Sequence, residues 1–289
     1  MKGRKIFASV SSNVGTRKKK NEDNFYLNGV TLPENNPKHI MQSIELDDGV
    51  FAVADGMGGM RRGEFASKCA VSILDKFVKE KPLDSLAAMD EYVELVNSKI
   101  CDKINETKEK IGTTITVVSI NDKTVKIYNV GDSRCYLYRD GTLTLLSKDH
   151  TLVSQLVEMN VITAEEAKTD KRRNQLYQHI GMMKDDVIIS PFEGPGFELA
   201  KDDMILLFSD GVTDVIDDDE IVSIIEETTN INKLTNRFLY RALKKGTKDN
   251  VTAMIIKYAP SSKSAEILSW VLGIVISAIL GIIAGLIII

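Results

Sequence analysis

Two aspartates stand where long apolar runs stop. Asp55 follows Val50-Phe51-Ala52-Val53-Ala54 and opens the stretch Asp55-Gly56-Met57-Gly58-Gly59; Asp210 follows Met204-Ile205-Leu206-Leu207-Phe208 and opens Asp210-Gly211. Runs of this length and composition read as buried strands, and each leads toward a segment with helical periodicity. A carboxylate at the end of a buried strand is costly unless it is paired or holds a metal. Two at matching places imply one shared site. The glycines after Asp55 clear side chains away, so backbone carbonyls can approach an ion, and Gly56 is free to take conformations closed to other residues.

Asp-Gly is also a common turn dipeptide, and the chain supplies controls. Asp48-Gly49 lies between Ile44 and Phe51, and Asp140-Gly141 between Tyr136-Leu137-Tyr138 and Leu143-Thr144-Leu145, so both read as hairpin turns. Asp249 sits at another strand boundary, before Val251. Asp132, in Gly131-Asp132-Ser133-Arg134, interrupts an apolar ladder and reads either as a bulge or as a further acidic ligand. Upstream, Arg17-Lys18-Lys19-Lys20-Asn21-Glu22-Asp23 would ordinarily be a solvated loop. Between two short strands, however, cations for phosphate that end in carboxylates for a metal are what a phosphoryl site requires.

These residues need a scaffold. Strands are expected over 6–12 and 25–27, a loop over 31–38, and a buried strand over 50–54. Phe65, Cys69, Ile73 and Phe77 recur every four residues, giving a helix over 62–79 that Pro82 ends; Leu86, Met89, Val93, Val96, Ile100 and Ile104 give a second long helix. Antiparallel strands follow over 112–120, 124–130, 134–139 and 142–146. Residues 148–181 are polar, with helical pieces near 152–158 and 164–168, and read as a mobile surface insertion. Strands are expected over 187–192 and 204–208. Asp217 and Glu220 form a capping box for the next helix, a further helix covers 234–243, and a last strand runs over 251–258.

The 289 residues carry a net charge of -4, which leaves no basic footprint for nucleic acid. Cys69, Cys101 and Cys135 are odd in number and set in apolar patterns, as reduced thiols of a cytoplasmic domain are. The basic N-terminus, Met1 to Phe7, lacks an apolar run of signal-peptide length. Every Lys, Arg, Asp and Glu lies before Ile267, and the last 23 residues carry none. At about 1.5 Å per residue a helix over 267–289 reaches about 35 Å, enough to cross a bilayer core, and it shows no polar face. Trp270 falls at the near interface, and Lys257 and Lys263 favour keeping that side cytoplasmic.

Asn21-Glu22-Asp23, Asp55-Gly56-Met57-Gly58-Gly59, Gly112-Thr113-Thr114, Gly131-Asp132-Ser133-Arg134, Asp149-His150, Ser209-Asp210-Gly211 and Asp249-Asn250-Val251-Thr252 occur in this order. Together they resemble the metal-dependent serine/threonine protein phosphatases of the PP2C type, especially the compact bacterial ones. The resemblance implies an α+β fold, a four-layer α-β-β-α sandwich of two antiparallel sheets flanked by helices. It implies a phosphatase domain over 1–258, and the uncharged run beyond it reads as a C-terminal transmembrane helix over 267–289 joined by a juxtamembrane linker over 259–266.

By the same resemblance Asp55 bridges two Mg²⁺ or Mn²⁺ ions, Asp23, Asp210 and Asp249 complete the carboxylate set, and Gly56 offers its carbonyl. Asp132 helps to hold a third, weaker ion, with Asp210 or Asp214 lending another oxygen. Hard divalent ions select oxygen, and a close pair both activates water and neutralises phosphoryl oxygens. The family's phosphate-gripping arginine, five residues before the first metal aspartate, is Lys18 here, with Arg17 beside it. Lysine supplies charge without the bidentate fork. Met57 stands where eukaryotic members carry a histidine, a candidate general acid. The implied activity is hydrolysis of phosphoserine and phosphothreonine on proteins at the cytoplasmic membrane face, against a bacterial Ser/Thr kinase. The competing reading is a non-catalytic, membrane-bound phosphoprotein-binding module, which the full set of four carboxylates weighs against.

Overall fold

The structure, a computed structural model, describes residues 4–58, 62–183 and 187–260. In chain order the elements are β1 (Arg4–Asn13), β2 (Asn24–Leu27), β3 (Val30–Thr31), β4 (His39–Leu46), β5 (Gly49–Ala54), β6 (Gly56–Gly58), α1 (Arg62–Glu80), α2 (Leu86–Thr107), β7 (Ile111–Thr113), β8 (Ile115–Asn121), β9 (Thr124–Val130), β10 (Arg134–Arg139) and β11 (Thr142–Leu145). They continue with α3 (Leu152–Glu158), α4 (Ala164–Thr169), β12 (Phe192–Glu193), β13 (Phe197–Glu198), β14 (Met204–Phe208), α5 (Asp210–Thr213), α6 (Asp218–Glu226), α7 (Ile231–Lys244) and β15 (Val251–Pro260).

Two antiparallel sheets face each other. One runs β11-β10-β14-β15-β1-β4; the other runs β12-β9-β8-β5-β2-β3, with β13 also on β9. Alternation along each strand sends one side chain between the sheets and the next under a helix layer. On β5, Phe51 and Val53 enter the inter-sheet core while Ala52 and Ala54 pack under α1 and α2. On β14, Ile205 and Leu207 point inward while Leu206 and Phe208 meet α6 and α7. Burial on both faces is why these strands read as unbroken apolar runs, although antiparallel strands with one wet face alternate. The expected α-β-β-α layers are therefore present.

Several local expectations need correction. The strand expected over 112–120 is two strands, β7 and β8. Thr114 between them leaves the ladder to bond Asp55, its N–H donating to the Asp55 carbonyl at 2.8 Å. β7 pairs with β6, a strand hidden in the glycine turn. Gly131-Asp132-Ser133 is not a bulge: β9 belongs to one sheet and β10 to the other, so this stretch carries the chain across. Residues 187–191 are not strand; pairing begins at Phe192, on β9. The stretch 148–181 is not merely superficial, because His150, Gln178 and Ile180 are buried. Asp217 accepts from the Glu220 N–H at 2.9 Å, but the Glu220 carboxylate turns to Arg241 and Lys245, so the capping box lacks its second arm. The apolar run 267–289 lies outside the described residues. Among those described, no helix is long and apolar enough to cross a membrane.

Candidate active site

Asp23 immediately precedes β2 and is 1% exposed. Its Oδ2 accepts from the Thr252 hydroxyl at 2.7 Å and from the Ser209 hydroxyl at 2.8 Å. Because Thr252 spends its proton on Asp23, the 2.8 Å contact between Ser12 and Thr252 has Ser12 as donor, and Asn21 Nδ2 in turn donates to Ser12 at 2.8 Å. Donors thus run from Asn21 through Ser12 and Thr252 to one carboxylate oxygen. The other, Oδ1, is buried without a partner. Burial, chiefly, lifts the Asp23 pKa to about 7, helped by Asp210 and Asp249 and opposed by the two hydroxyls.

Asp55 ends β5, held by its own backbone. Its N–H donates to Thr114 Oγ1 at 2.9 Å, and its carbonyl accepts from the Thr114 N–H and the Thr113 hydroxyl. The Asp55 carboxyl is pushed well above the usual range by burial and then by Asp210, Asp23, Asp249 and Asp132. Asp210 is the first residue of α5, after Ser209 at the N-cap position, whose hydroxyl goes to Asp23 rather than to the helix, and its Oδ1 is likewise buried and unpartnered. Burial and Asp249 raise its pKa to about 6. Asp132 is raised by burial and by Asp210 and Asp149. These mutual shifts are the electrostatic signature of like charges gathered at one place.

Gly56 is required for close approach rather than for unusual dihedrals: a Cβ there would stand 2.1 Å from the Gly63 carbonyl oxygen and 2.6 Å from that of Glu22. The basic run divides. Arg17 is exposed, whereas the Lys18 ammonium lies 2.8 Å from Asp249 and 3.4 Å from Glu22. Burial works against its charge, but the two carboxylates outweigh it and raise its pKa. A cavity of about 410 Å³ is lined by Lys18, Glu22, Asp55, Gly56, Met57, Asp132, His179, Asp210 and Asp249, among others. Asp132 and Asp210 also line an adjoining cavity of about 960 Å³, walled by α3, α4 and the α5–α6 turn. Asp214 faces that larger space and accepts from Asn174 Nδ2 at 2.8 Å.

Sequence reasoning gave Asn250 no role of its own. Its Oδ1 accepts from the Glu22 N–H at 2.7 Å, and its Nδ2 donates to the Val14 and Lys20 carbonyls at 2.8 and 3.1 Å. One side chain thereby fixes the whole loop bearing Lys18 and Asp23 beside Asp249. Its only signal was an asparagine next to an acid.

The donor set suits a hard divalent cation. It offers oxygen ligands, two of them buried with no hydrogen-bond partner, on carboxyls whose pKa values burial and then neighbouring carboxylates raise, a charge build-up that a cation would relieve. Among the described residues no three of His, Cys, Asp and Glu already close on one point.

The profile described as Protein phosphatase 2C matches residues 12–177 and 198–251. The serine/threonine phosphatase Stp of Listeria welshimeri is 30% identical over 224 residues, spanning 72% of this chain and 84% of that one. The crystal structure of the Mycobacterium tuberculosis serine/threonine phosphatase PstP/Ppp is similar with a TM-score of 0.73 at 29% identity, covering 87% of this chain and 98% of that one. The PstP catalytic domain in complex with two manganese ions gives 0.71 at 27% identity, covering 88% and 99%. The matched residues include each of the five strand-end aspartates, 23, 55, 132, 210 and 249, and on that ground the chain is a protein phosphatase of the 2C family.

Proposed function

We propose that this protein hydrolyses phosphoserine and phosphothreonine on proteins with two Mg²⁺ or Mn²⁺ ions, held by Asp23, Asp55, Asp210, Asp249 and the Gly56 carbonyl, with Asp132 toward a third. The observation that carries this reading is the pair of buried, unpartnered carboxylate oxygens on Asp23 and Asp210, with Asp210 lining a cavity that also holds Lys18, Asp55 and Asp249. When bound, such ions supply Lewis acidity that brings an attacking water within reach of deprotonation at neutral pH and offsets phosphoryl charge. The chain's own part is positional. Thr114 fixes Asp55, Ser209 and Thr252 donate to one oxygen of Asp23 and favour its ionised form against burial, and Lys18 presents an ammonium that its two carboxylate neighbours hold charged.

The same proposal includes a membrane tether through 267–289, with the phosphatase domain on the cytoplasmic side opposing a membrane Ser/Thr kinase. It is supported by the absence of charge over those 23 residues and by the lysines before them. Phosphate release from a phosphothreonine peptide should need Mn²⁺ and fall by at least about 10²-fold in Asp55→Asn, since removing a charged group in a polar site forfeits several kcal/mol. Undiminished turnover in that variant would sink the metal reading. Release of the chain from membranes on deleting 267–289 tests the tether; a protein that stays soluble with that run intact overturns it.

A further inference from the structure

His179 takes no part in the reading above. The next residue, Ile180, exchanges both backbone hydrogen bonds with Thr113 on β7, each at 2.9 Å. Beyond it the chain is held from α2: the Gly181 N–H donates to Asn97 Oδ1 at 2.7 Å, and Asn97 Nδ2 donates to the Met182 carbonyl at 3.0 Å. β7 pairs in turn with β6, Gly112 opposite Met57. His179 is therefore mounted on the same ribbon that continues the Asp55 turn. Gly112 leaves room for the ring: a Cβ there would stand 2.6 Å from Nδ1 and 2.9 Å from Cε1. The residue lines the 410 Å³ cavity together with Lys18, Asp55 and Met57.

The ring has one defined tautomer. Nδ1 lies 3.1 Å from the Ile180 carbonyl, and a carbonyl only accepts, so Nδ1 carries a proton in either charge state. Among the described residues nothing bonds Nε2, which is therefore the nitrogen that gains and loses the exchangeable proton. Other groups facing the cavity are committed. Lys18 is held charged by Asp249 and Glu22 from the β15 and β2 entrances. Asp55 from β5, Asp132 from the β9–β10 crossing and Asp210 from α5 are the oxygen ligands proposed above. β6 and β7 bring no ionisable side chain, and α2 brings the Cys101 thiol, which donates to the Met182 carbonyl at 3.4 Å. Burial lowers the imidazole pKa from its ordinary value, opposed by the Ile180 carbonyl; a phosphate dianion alongside works in the raising direction.

We infer that His179 is a catalytic residue, donating its Nε2 proton to the seryl or threonyl oxygen as that oxygen leaves phosphorus. The inference rests on the phosphomonoester hydrolysis proposed above. Water oxygen bonds to phosphorus while the ester P–O bond breaks. The bonding pair stays on the side-chain oxygen, which takes the imidazolium proton and departs as the alcohol. Water's own proton passes to solvent, and the imidazole recovers one from solvent, so the enzyme returns unchanged.

The test uses the full chain with Mn²⁺ and two substrates. Para-nitrophenol leaves readily as an anion and needs no proton; a threonyl alkoxide does. His179→Gln should lower kcat on a phosphothreonine peptide by about 10²-fold and leave p-nitrophenyl phosphate far less affected, the size expected of a lost general acid. The alkaline fall of kcat on the peptide should vanish in the variant. A partly misfolded variant loses both activities equally, so the ratio between substrates still decides. Independently, an NMR titration of the Mg²⁺-loaded protein should show the His179 pKa rising when inorganic phosphate is added; the chain has only three histidines to assign. Equal losses on both substrates, no loss, or an imidazole indifferent to phosphate each overturn the role of the ring. Wild type that turns over neither substrate overturns the proposed function with it; wild type active on the peptide beside an equally active variant overturns the ring alone.

Discussion

Asp23 shows how hydroxyl donors partly hold down the pKa of a carboxylate that burial raises. Both hydroxyls on its Oδ2 are donors, and the chain of donors behind Thr252 leaves that hydroxyl no other direction to point. Ser209 is itself positioned by the Thr252 N–H at 3.0 Å, so Thr252 acts on the acid twice, through side chain and backbone. Thr252→Val keeps the shape and the backbone bond while removing the hydroxyl. Outer partners of ligating carboxylates typically carry 10-fold to 100-fold in metal affinity, so Mn²⁺ binding by calorimetry should weaken by about 10-fold or more. The fold should persist, because valine suits β15. An unchanged dissociation constant would mean that Ser209 alone sustains the charge.

Between elements, the site is an intersection of strand ends tied together by side chains. Asn250 ties the entrance of β15 to the loop between β1 and β2 with three hydrogen bonds. Asn250→Ala strands several buried backbone groups, each costing about 1–3 kcal/mol when left unmade. Residues 14–22 should then exchange their amide hydrogens much faster while the central strands stay protected; unchanged exchange in that loop would show it is held by other means. At this scale the sequence was only partly legible. Apolar runs marked β5 and β14 because helices cover their outer faces, and a period of four marked α1. Which sheet a strand joins was not legible: β9 and β10 are adjacent in the chain yet lie in opposite sheets, since nothing local distinguishes a turn that pairs strands from one that crosses the core. The acids could be picked out because a carboxylate at a buried strand end needs a partner. His179 could not, being a lone imidazole in a polar stretch whose position depends on Thr113 and Asn97, both distant in sequence.

Across the whole molecule the gathered acids oppose the fold that gathers them, and this links stability, protons and cations. The folded-state pKa values of Asp23, about 7, and Asp210, about 6, lie above the ordinary value of 3.8. The folded chain thus binds these protons more tightly than the unfolded chain. Their stabilising contribution is complete below the ordinary value and is lost as pH rises through about 6 to 7. A divalent cation must displace the same protons, so its binding tightens over that window and levels above it. His150 titrates in the opposite sense. Burial lowers it to about 4, and Nδ1 accepts from the Gly131 N–H at 3.1 Å, so it costs stability as pH falls below the ordinary histidine value. It does so with or without the cation and cancels in a difference. The rise in melting temperature given by saturating Mg²⁺ over chelator should therefore grow from about pH 5 to about pH 7.5 and then flatten. An increment that is constant over that range, or that shrinks with pH, would show that the cation does not replace protons on Asp23 and Asp210.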